Sequence, residues 1–67
     1  MNITLYSTGC PKCKVLKQKL TSKNIPFEEN NSIEEMTELG ILQVPILRVD
    51  DTFYDFAAAN KWINDWR

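Results

Sequence analysis

The chain has 67 residues, of which 43% are hydrophobic and 25% charged, and its net charge is −1. This length predicts one domain, residues 1–67, with a thin core, and the composition excludes a disordered chain. The near-neutral charge argues against a nucleic-acid or membrane-surface binder, and no apolar run is long enough to span a bilayer. Because Met1 leads directly into a strand-like segment without a basic and apolar leader, we expect a cytoplasmic protein.

The first elements in chain order are a predicted strand and a predicted helix. Asn2–Ser7 is rich in β-branched and aromatic residues, which are typical of strands. Pro11 suits the first helical position, and the pattern predicts a helix from there to about Lys23. Its predicted apolar face is formed by Val15, Leu16 and Leu20. Lysines occupy the rest of this helix, and we expect those far from the cysteines to lie on a solvated face: Lys17, Lys19 and Lys23.

The middle of the chain predicts a second strand and a second helix. Ile25–Glu29 reads as a short strand, and its proline limits it to a sheet edge or a strand start. Ser32 and Glu35 have the spacing of a capping box, which predicts a helix over Ile33–Leu39. A glycine follows at position 40, as is common after helices.

The last part of the chain predicts a hairpin and a final helix. Val44–Val49 and Thr52–Tyr54 read as two strands joined by a tight turn at Asp50–Asp51. The segment Phe56–Trp66 is predicted to be helical, with one apolar stripe formed by Phe56, Ala59, Trp62, Ile63 and Trp66. At this spacing we expect the tryptophans to belong to the core rather than to a ligand site.

The predicted order of elements is therefore βαβαββα, an α/β fold. The helix that joins the first two strands predicts that they are parallel, with a right-handed crossover. The last two strands form an antiparallel hairpin. Together these connections predict a small mixed sheet with helices packed on it.

Both cysteines of the chain, Cys10 and Cys13, lie in one turn and are separated by Pro11 and Lys12. A disulfide between them would close a very short loop and would stabilise the fold little. Tetrahedral zinc needs four ligands, and the chain has no histidine and no further cysteine. In a reducing cytosol such a pair favours redox chemistry or metal binding.

The position of Cys10 before a helix predicts a reactive thiolate. Unpaired backbone N–H groups and the helix dipole place positive potential there, and Lys12 and Lys14 add charge nearby. We therefore expect a lowered pKa for Cys10 and a more buried, less acidic Cys13. Such a pair can act in sequence: Cys10 attacks a substrate disulfide, and Cys13 then attacks Cys10 to release the reduced substrate.

A second informative feature is Val44-Pro45, at the start of a predicted strand. A proline cannot donate a hydrogen bond to a sheet. A cis bond would fit this position and would expose the Val44 backbone, but the general preference of X-Pro bonds favours trans from local sequence alone.

The segments "LYSTGCPKCKVLKQKL" and "GILQVPIL", with a hairpin and a final helix after them, resemble the glutaredoxin group of the thioredoxin fold. The resemblance implies helices on both faces of the sheet, with Cys10 as nucleophile and Cys13 as resolving thiol. It also implies that Pro45 is cis and lies against the cysteine pair, and that the Val44 backbone pairs with the substrate. The substrate-binding residues implied in this way are Thr8, Gly9, Pro11, Lys12, Gln43, Val44 and Pro45.

Two positions depart from the glutaredoxin pattern. Gln43 replaces the threonine that usually precedes Val-Pro, and "YDFAAA" replaces the Gly-Gly-x-Asp segment that holds the glutathione carboxylate. Asp55 places a negative charge where an anion should bind. In this respect the chain is similar to the small glutaredoxin-like redoxins that serve ribonucleotide reductase.

That similarity implies an electron carrier that reduces a protein disulfide, with ribonucleotide reductase as a candidate substrate. It implies no bound cofactor, only the redox-active Cys10–Cys13 disulfide. Nothing in the sequence specifies an oligomer, so we expect a monomer. Electrons would come from NADPH through thioredoxin reductase or through glutathione.

A different class, the small copper carriers, also places Cys-x-x-Cys where a loop meets a helix. These proteins usually carry a methionine two residues before the first cysteine, where this chain has Thr8. Their order of elements is βαββαβ, and Pro11 would stiffen a clip that must open and close. A further alternative is a metal cluster bound through a glutathione-bridged dimer.

Overall fold

The structure, a computed structural model, describes residues 2–66 and contains the seven predicted elements in the predicted order. The longest helix has 12 residues, and within residues 2–66 no helix is both long and apolar enough to cross a membrane. The elements are β1 (Ile3–Tyr6), α1 (Pro11–Ser22), β2 (Glu28–Asn30), α2 (Ile33–Glu38), β3 (Ile46–Val49), β4 (Thr52–Tyr54) and α3 (Phe56–Asn64).

The four strands form one mixed sheet in the order β2-β1-β3-β4. The strands β1 and β2 are parallel, whereas β3 is antiparallel to both β1 and β4. These pairings confirm the predicted parallel pair and the predicted hairpin. Pro26 lies just before the edge strand β2, where a missing N–H group costs no hydrogen bond of the sheet.

The second strand was predicted too early in the chain. Ile25 is not in β2, because its N–H group bonds the carbonyl of Leu20 at 3.0 Å and closes the end of α1. Asn24 precedes it with a left-handed φ of 57°, and its N–H group bonds the carbonyl of Thr21. These two bonds form a Schellman motif, which ends the helix and delays the strand until Glu28.

The sheet carries a core on each face, so the helices lie on both faces as the resemblance implies. The larger core, under α1 and α3, contains Ile3, Leu5, Leu16, Leu20, Ile25, Leu47, Val49, Ala59 and Ile63. The smaller core, under α2, contains Tyr6, Met36 and Ile46, with Ile41 and Val44 packed against it. Residues of β1 alternate between the two cores because successive side chains of a strand point to opposite faces.

The apolar face of α1 differs from the prediction at one position. Val15 is 39% exposed, whereas Cys13, Leu16 and Leu20 are buried. Positions 13, 16 and 20 share one face at helical spacing, and residue 15 is rotated away from that face. The expected helix face is therefore correct for the two leucines and wrong for Val15.

The predicted stripe of α3 is confirmed as part of the core. Ala59 and Ile63 are fully buried, and the aromatic side chains of the stripe pack against the larger core. The rings of Trp62 and Trp66 lie 5.3 Å apart, and Tyr54 lies 6.3 Å from Trp62. The helix ends at Asn64, two residues before the predicted end.

The candidate redox site

The two sequence segments singled out by the motifs meet at one end of the sheet. Tyr6 of β1 pairs with Ile46 of β3 in the antiparallel register. The loop that carries the first cysteine follows Tyr6, and Pro45 directly precedes Ile46. Because β1 and β3 are antiparallel, the C-terminal end of β1 and the N-terminal end of β3 lie at the same end of the sheet. The cysteine loop and the Val44-Pro45 segment are therefore close together.

Cys10 is the N-cap residue of α1. Its backbone is extended, with φ −70° and ψ 162°, and its Sγ accepts a hydrogen bond from the N–H group of Cys13 at 3.3 Å. The carbonyl of Cys10 accepts from the N–H group of Lys14 at 3.1 Å. Pro11 follows at the first helical position, where its missing N–H group has no helical partner. Gly9 takes a φ of 82°, a conformation that side chains rarely adopt, and so turns the chain into the helix.

The two thiols lie in unequal environments. Both cysteines are free, but Cys13 is only 2% exposed while Cys10 is partly exposed. The hydrogen bond with the Cys13 side chain lowers the pKa of Cys10, and bonds from backbone N–H groups at the start of the helix lower it further. Burial raises the pKa of Cys13, and its interaction with Cys10 raises it again. The expected difference in burial and acidity is therefore present.

The side-chain charges of Lys12 and Lys14 were expected to favour the thiolate of Cys10, but they are not among the causes of its lowered pKa. The lowered pKa of Cys10 has its causes in hydrogen bonds to Cys13 and to the backbone. The ammonium group of Lys12 instead lies over the ring of Phe56, 5.4 Å from its centroid. Lys14 is exposed to solvent, which screens its charge. The contact between Lys12 and Phe56 places the start of α3 beside the start of α1.

The lysines farther along α1 were expected on a solvated face, and each has a partner. Lys17 pairs with Glu29 at 3.0 Å between Nζ and Oε1. Lys19 is partly buried and donates to the side chain of Asn60 in α3. The side chain of Lys23 reaches the carbonyl of Asn64 at 3.2 Å. The face is charged as predicted, but two of its lysines also connect α1 to α3.

The implied substrate-binding residues divide between surface and interior. Those on the surface are Thr8, Gly9, Pro11, Lys12 and Gln43. Val44 is partly buried against the smaller core, and Pro45 is buried. The Val44-Pro45 bond is cis, in agreement with the resemblance and against the preference of local sequence for trans.

Sequence reasoning missed two polar residues next to the cysteine loop, Ser7 and Glu29. Ser7 is 1% exposed, and its Oγ lies 3.0 Å from Oε2 of Glu29. The alternation Ile3, Leu5, Ser7 continues the inward face of β1 and was the one signal that Ser7 is buried. The partner carboxylate comes from another strand, so only the folded chain reveals the contact.

The N-terminus of α3 is closed by a side chain of the protein itself. Asp55 is the N-cap residue, and its Oδ1 accepts from the N–H group of Ala58 at 2.8 Å. A carboxylate in this position satisfies a free N–H group and interacts favourably with the helix dipole. It therefore leaves one fewer free N–H group at this helix end for an external anion.

The described part of the chain, residues 2–66, contains no cluster of three or more histidine, cysteine or acidic side chains arranged to hold a metal ion.

A thioredoxin-like sheet with an acidic, accessible thiol and a buried second thiol at a helix N-terminus defines the class of small thiol–disulfide redox proteins. The glutaredoxin family model matches residues 3–54, which is more than half of the chain, and the chain belongs to the glutaredoxin family. No curated protein and no solved structure matches the chain significantly. The match ends at Tyr54, one residue before Asp55.

Proposed function

We propose that this protein is a dithiol–disulfide oxidoreductase that carries electrons to a protein disulfide. Cys10 is the nucleophile and Cys13 the resolving thiol. The thiolate of Cys10 attacks one sulfur of the substrate disulfide, forms a mixed disulfide and expels the other substrate thiolate. Cys13 then loses its proton to this thiolate or to water and attacks Cys10. The second substrate thiolate leaves, and the two electrons of the dithiol have passed to the substrate.

The observation that carries this proposal is the inequality of the two thiols. The attacking thiol must be accessible and ionised, and Cys10 is partly exposed with a lowered pKa. The resolving thiol must stay protonated until a mixed disulfide has formed, so that it does not itself attack the substrate disulfide. The buried Cys13, with its raised pKa, meets that requirement.

We further propose thioredoxin reductase, rather than glutathione, as the source of electrons. Asp55 caps α3 with a negative charge, and the start of α3 lies beside the cysteine loop through the contact of Lys12 with Phe56. A carboxylate at this place repels the carboxylates of glutathione and occupies an N–H group that would bind one. Because Asp55 already caps α3, an added anion would gain little binding free energy at the start of this helix.

Exposed apolar side chains that line one surface cavity with Gln43 and Ile46, on either side of Val44-Pro45, support a protein as the disulfide partner. Leu42 is 97% exposed, Leu39 44% and Phe53 45%. Such side chains are typical of surfaces that contact other proteins. The Val44 backbone would pair with an extended segment around the partner's cysteine, and the apolar residues would contact its side chains. Ribonucleotide reductase is the candidate substrate that the resemblance implies, and we propose a cytoplasmic monomer.

The copper-carrier alternative has less structural support. The observed order of elements ends in α3, whereas the copper carriers have the order βαββαβ. A Cu(I) titration in competition with a weak chelator tests it, because a copper carrier would take the metal from the chelator.

Two cysteine variants test the proposed roles. We expect Cys10→Ser to abolish the reduction of a model protein disulfide. We expect Cys13→Ser to accumulate a mixed disulfide between Cys10 and the substrate, visible by non-reducing electrophoresis. If Cys10→Ser retains activity, or if the mixed disulfide accumulates in Cys10→Ser rather than in Cys13→Ser, the assigned roles are wrong.

A further inference from the structure

One carboxylate connects both sides of the cysteine loop. Glu29 accepts a hydrogen bond from Ser7 through Oε2 at 3.0 Å and from Lys17 through Oε1 at 3.0 Å. Ser7 is the last residue before the loop, and Lys17 lies on the helix that follows it, one turn beyond Cys13. The two oxygens of Glu29 therefore bind the chain on both sides of residues 8–13, the redox turn that carries both cysteines.

Ser7 is fixed by more than this one bond. Its N–H group donates to the carbonyl of Asn30 at 3.1 Å, and its Oγ lies 3.1 Å from Oδ1 of Asn31. A hydroxyl has a single proton, and the carboxylate of Glu29 is the stronger acceptor for it. Its 1% exposure leaves Ser7 no water as an alternative partner. Without the carboxylate, the hydroxyl at the start of the loop would lose its strongest partner.

The charge of Glu29 is maintained by the same contacts. Its pKa is lowered first by the hydrogen bond from Lys17 and then by the one from Ser7. Glu29 is therefore ionised at neutral pH. The neighbouring Glu28 is exposed and belongs to the same strand.

We propose that Glu29, with Ser7 and Lys17, is a positioning group for the redox turn: it holds Cys10 in register with the N–H groups at the start of α1. This role rests on the proposed function of Cys10 as the nucleophile. The N–H group of Cys13 donates to Sγ of Cys10 at 3.3 Å. Because the strength of a hydrogen bond depends on both its distance and its angle, a displacement of the loop would weaken this contact. In this role Glu29 contacts no substrate and acts only through the placement of Cys10.

The test is the pKa of Cys10, measured by the pH dependence of its alkylation in the reduced, folded protein. Glu29→Gln keeps the shape of the side chain and removes its charge, and Ser7→Ala removes the hydroxyl. Glu28→Gln is the matched control, since it removes the same charge from the adjacent residue. We expect Glu29→Gln and Ser7→Ala each to raise the pKa of Cys10 by about half a unit or more, and Glu28→Gln to leave it unchanged or slightly lower.

The direction of the shift separates positioning from a simple charge effect. Removing a nearby negative charge favours a thiolate and would lower the pKa of Cys10, whereas a displaced loop raises it. The double variant should show little more than the larger single shift, because both residues act through one contact. An unchanged or lowered pKa in folded Glu29→Gln overturns the proposal. The side chain of Glu29 is 31% exposed on an edge strand, so this variant should fold even where Ser7→Ala does not.

This experiment is independent of the proposed function. Alkylation needs neither a reductase nor a protein substrate, so the shift between wild type and Glu29→Gln can be measured whatever the chain reduces. A wild-type protein that turns over no disulfide would contradict the proposed function. The same protein would still show whether Glu29 positions Cys10.

Discussion

At the scale of single residues, the two thiols differ in acidity and in exposure to solvent because Cys10 caps a helix and Cys13 lies within it. Cys10 accepts hydrogen bonds at the helix start, while Cys13 loses contact with water. The Cys-Pro-x-Cys spacing was enough to predict this difference, because a proline at the first helical position fixes where the helix begins. The contact of Ser7 with Glu29 was not predictable in the same way, since its partners are 22 residues apart.

The side chain at position 13 should determine the acidity of Cys10. Its hydrogen bond is the largest cause of the lowered pKa, so Cys13→Ala should raise the pKa of Cys10, whereas Cys13→Ser keeps a donor and should raise it less. Because the thiolate is the nucleophile, the alkylation rate should increase as pH rises through this pKa and level off above it. A pKa equal to that of the wild type in both variants would assign the effect to the backbone N–H groups instead.

At the scale of elements, the ends of helices are easier to predict from neighbouring residues than the ends of strands are. Ser32 caps α2 as predicted, with its Oγ accepting from the N–H group of Glu35, although the N–H group of Ser32 bonds Asn30 rather than the Glu35 side chain. Gly40 ends the same helix with a φ of 77°. The bounds of β2 were missed because pairing with β1, a non-local interaction, selects Glu28–Asn30.

The cap of α3 should determine which reductant the protein accepts. Asp55→Asn keeps a side-chain acceptor for the N–H group of Ala58 but removes the charge, so α3 should remain folded. We expect glutathione-supported turnover to rise severalfold in this variant, because the repulsion of the glutathione carboxylates is gone. The control is Asp65→Asn, which removes the same charge at the other end of α3 and should leave turnover unchanged. Equal turnover in Asp55→Asn and wild type would show that the charge of Asp55 does not exclude glutathione.

At the scale of the whole molecule, the central strand β1 contributes side chains to both hydrophobic cores. The strand β1 pairs with both β2 and β3, and its side chains enter both cores. The order of elements and the parallel pair were predictable from the sequence, since a strand–helix–strand unit has few possible arrangements. The exposure of Val15 and the contacts between α1 and α3 depend on how the helices pack, which local patterns do not specify.

The thin core should make single cavities severe. Leu5 is fully buried in β1, and Leu5→Ala should cost about 2–5 kcal/mol of unfolding free energy. A domain of this size has only about 3–5 kcal/mol in total, so the variant should be largely unfolded in urea titrations followed by circular dichroism. Val15→Ala, at a position that is 39% exposed, is the control and should change the unfolding free energy by less than about 0.5 kcal/mol. A cooperative Leu5→Ala transition at the wild-type midpoint would contradict the packing described here.

The most direct test of the central claim is a coupled assay of NADPH oxidation with a model protein disulfide. One arm contains thioredoxin reductase, and the other contains glutathione with glutathione reductase. We expect turnover that depends on Cys10 and occurs with thioredoxin reductase, with little or none in the glutathione arm. Turnover only with glutathione would contradict the assigned reductant, and no turnover in either arm would contradict the proposed oxidoreductase.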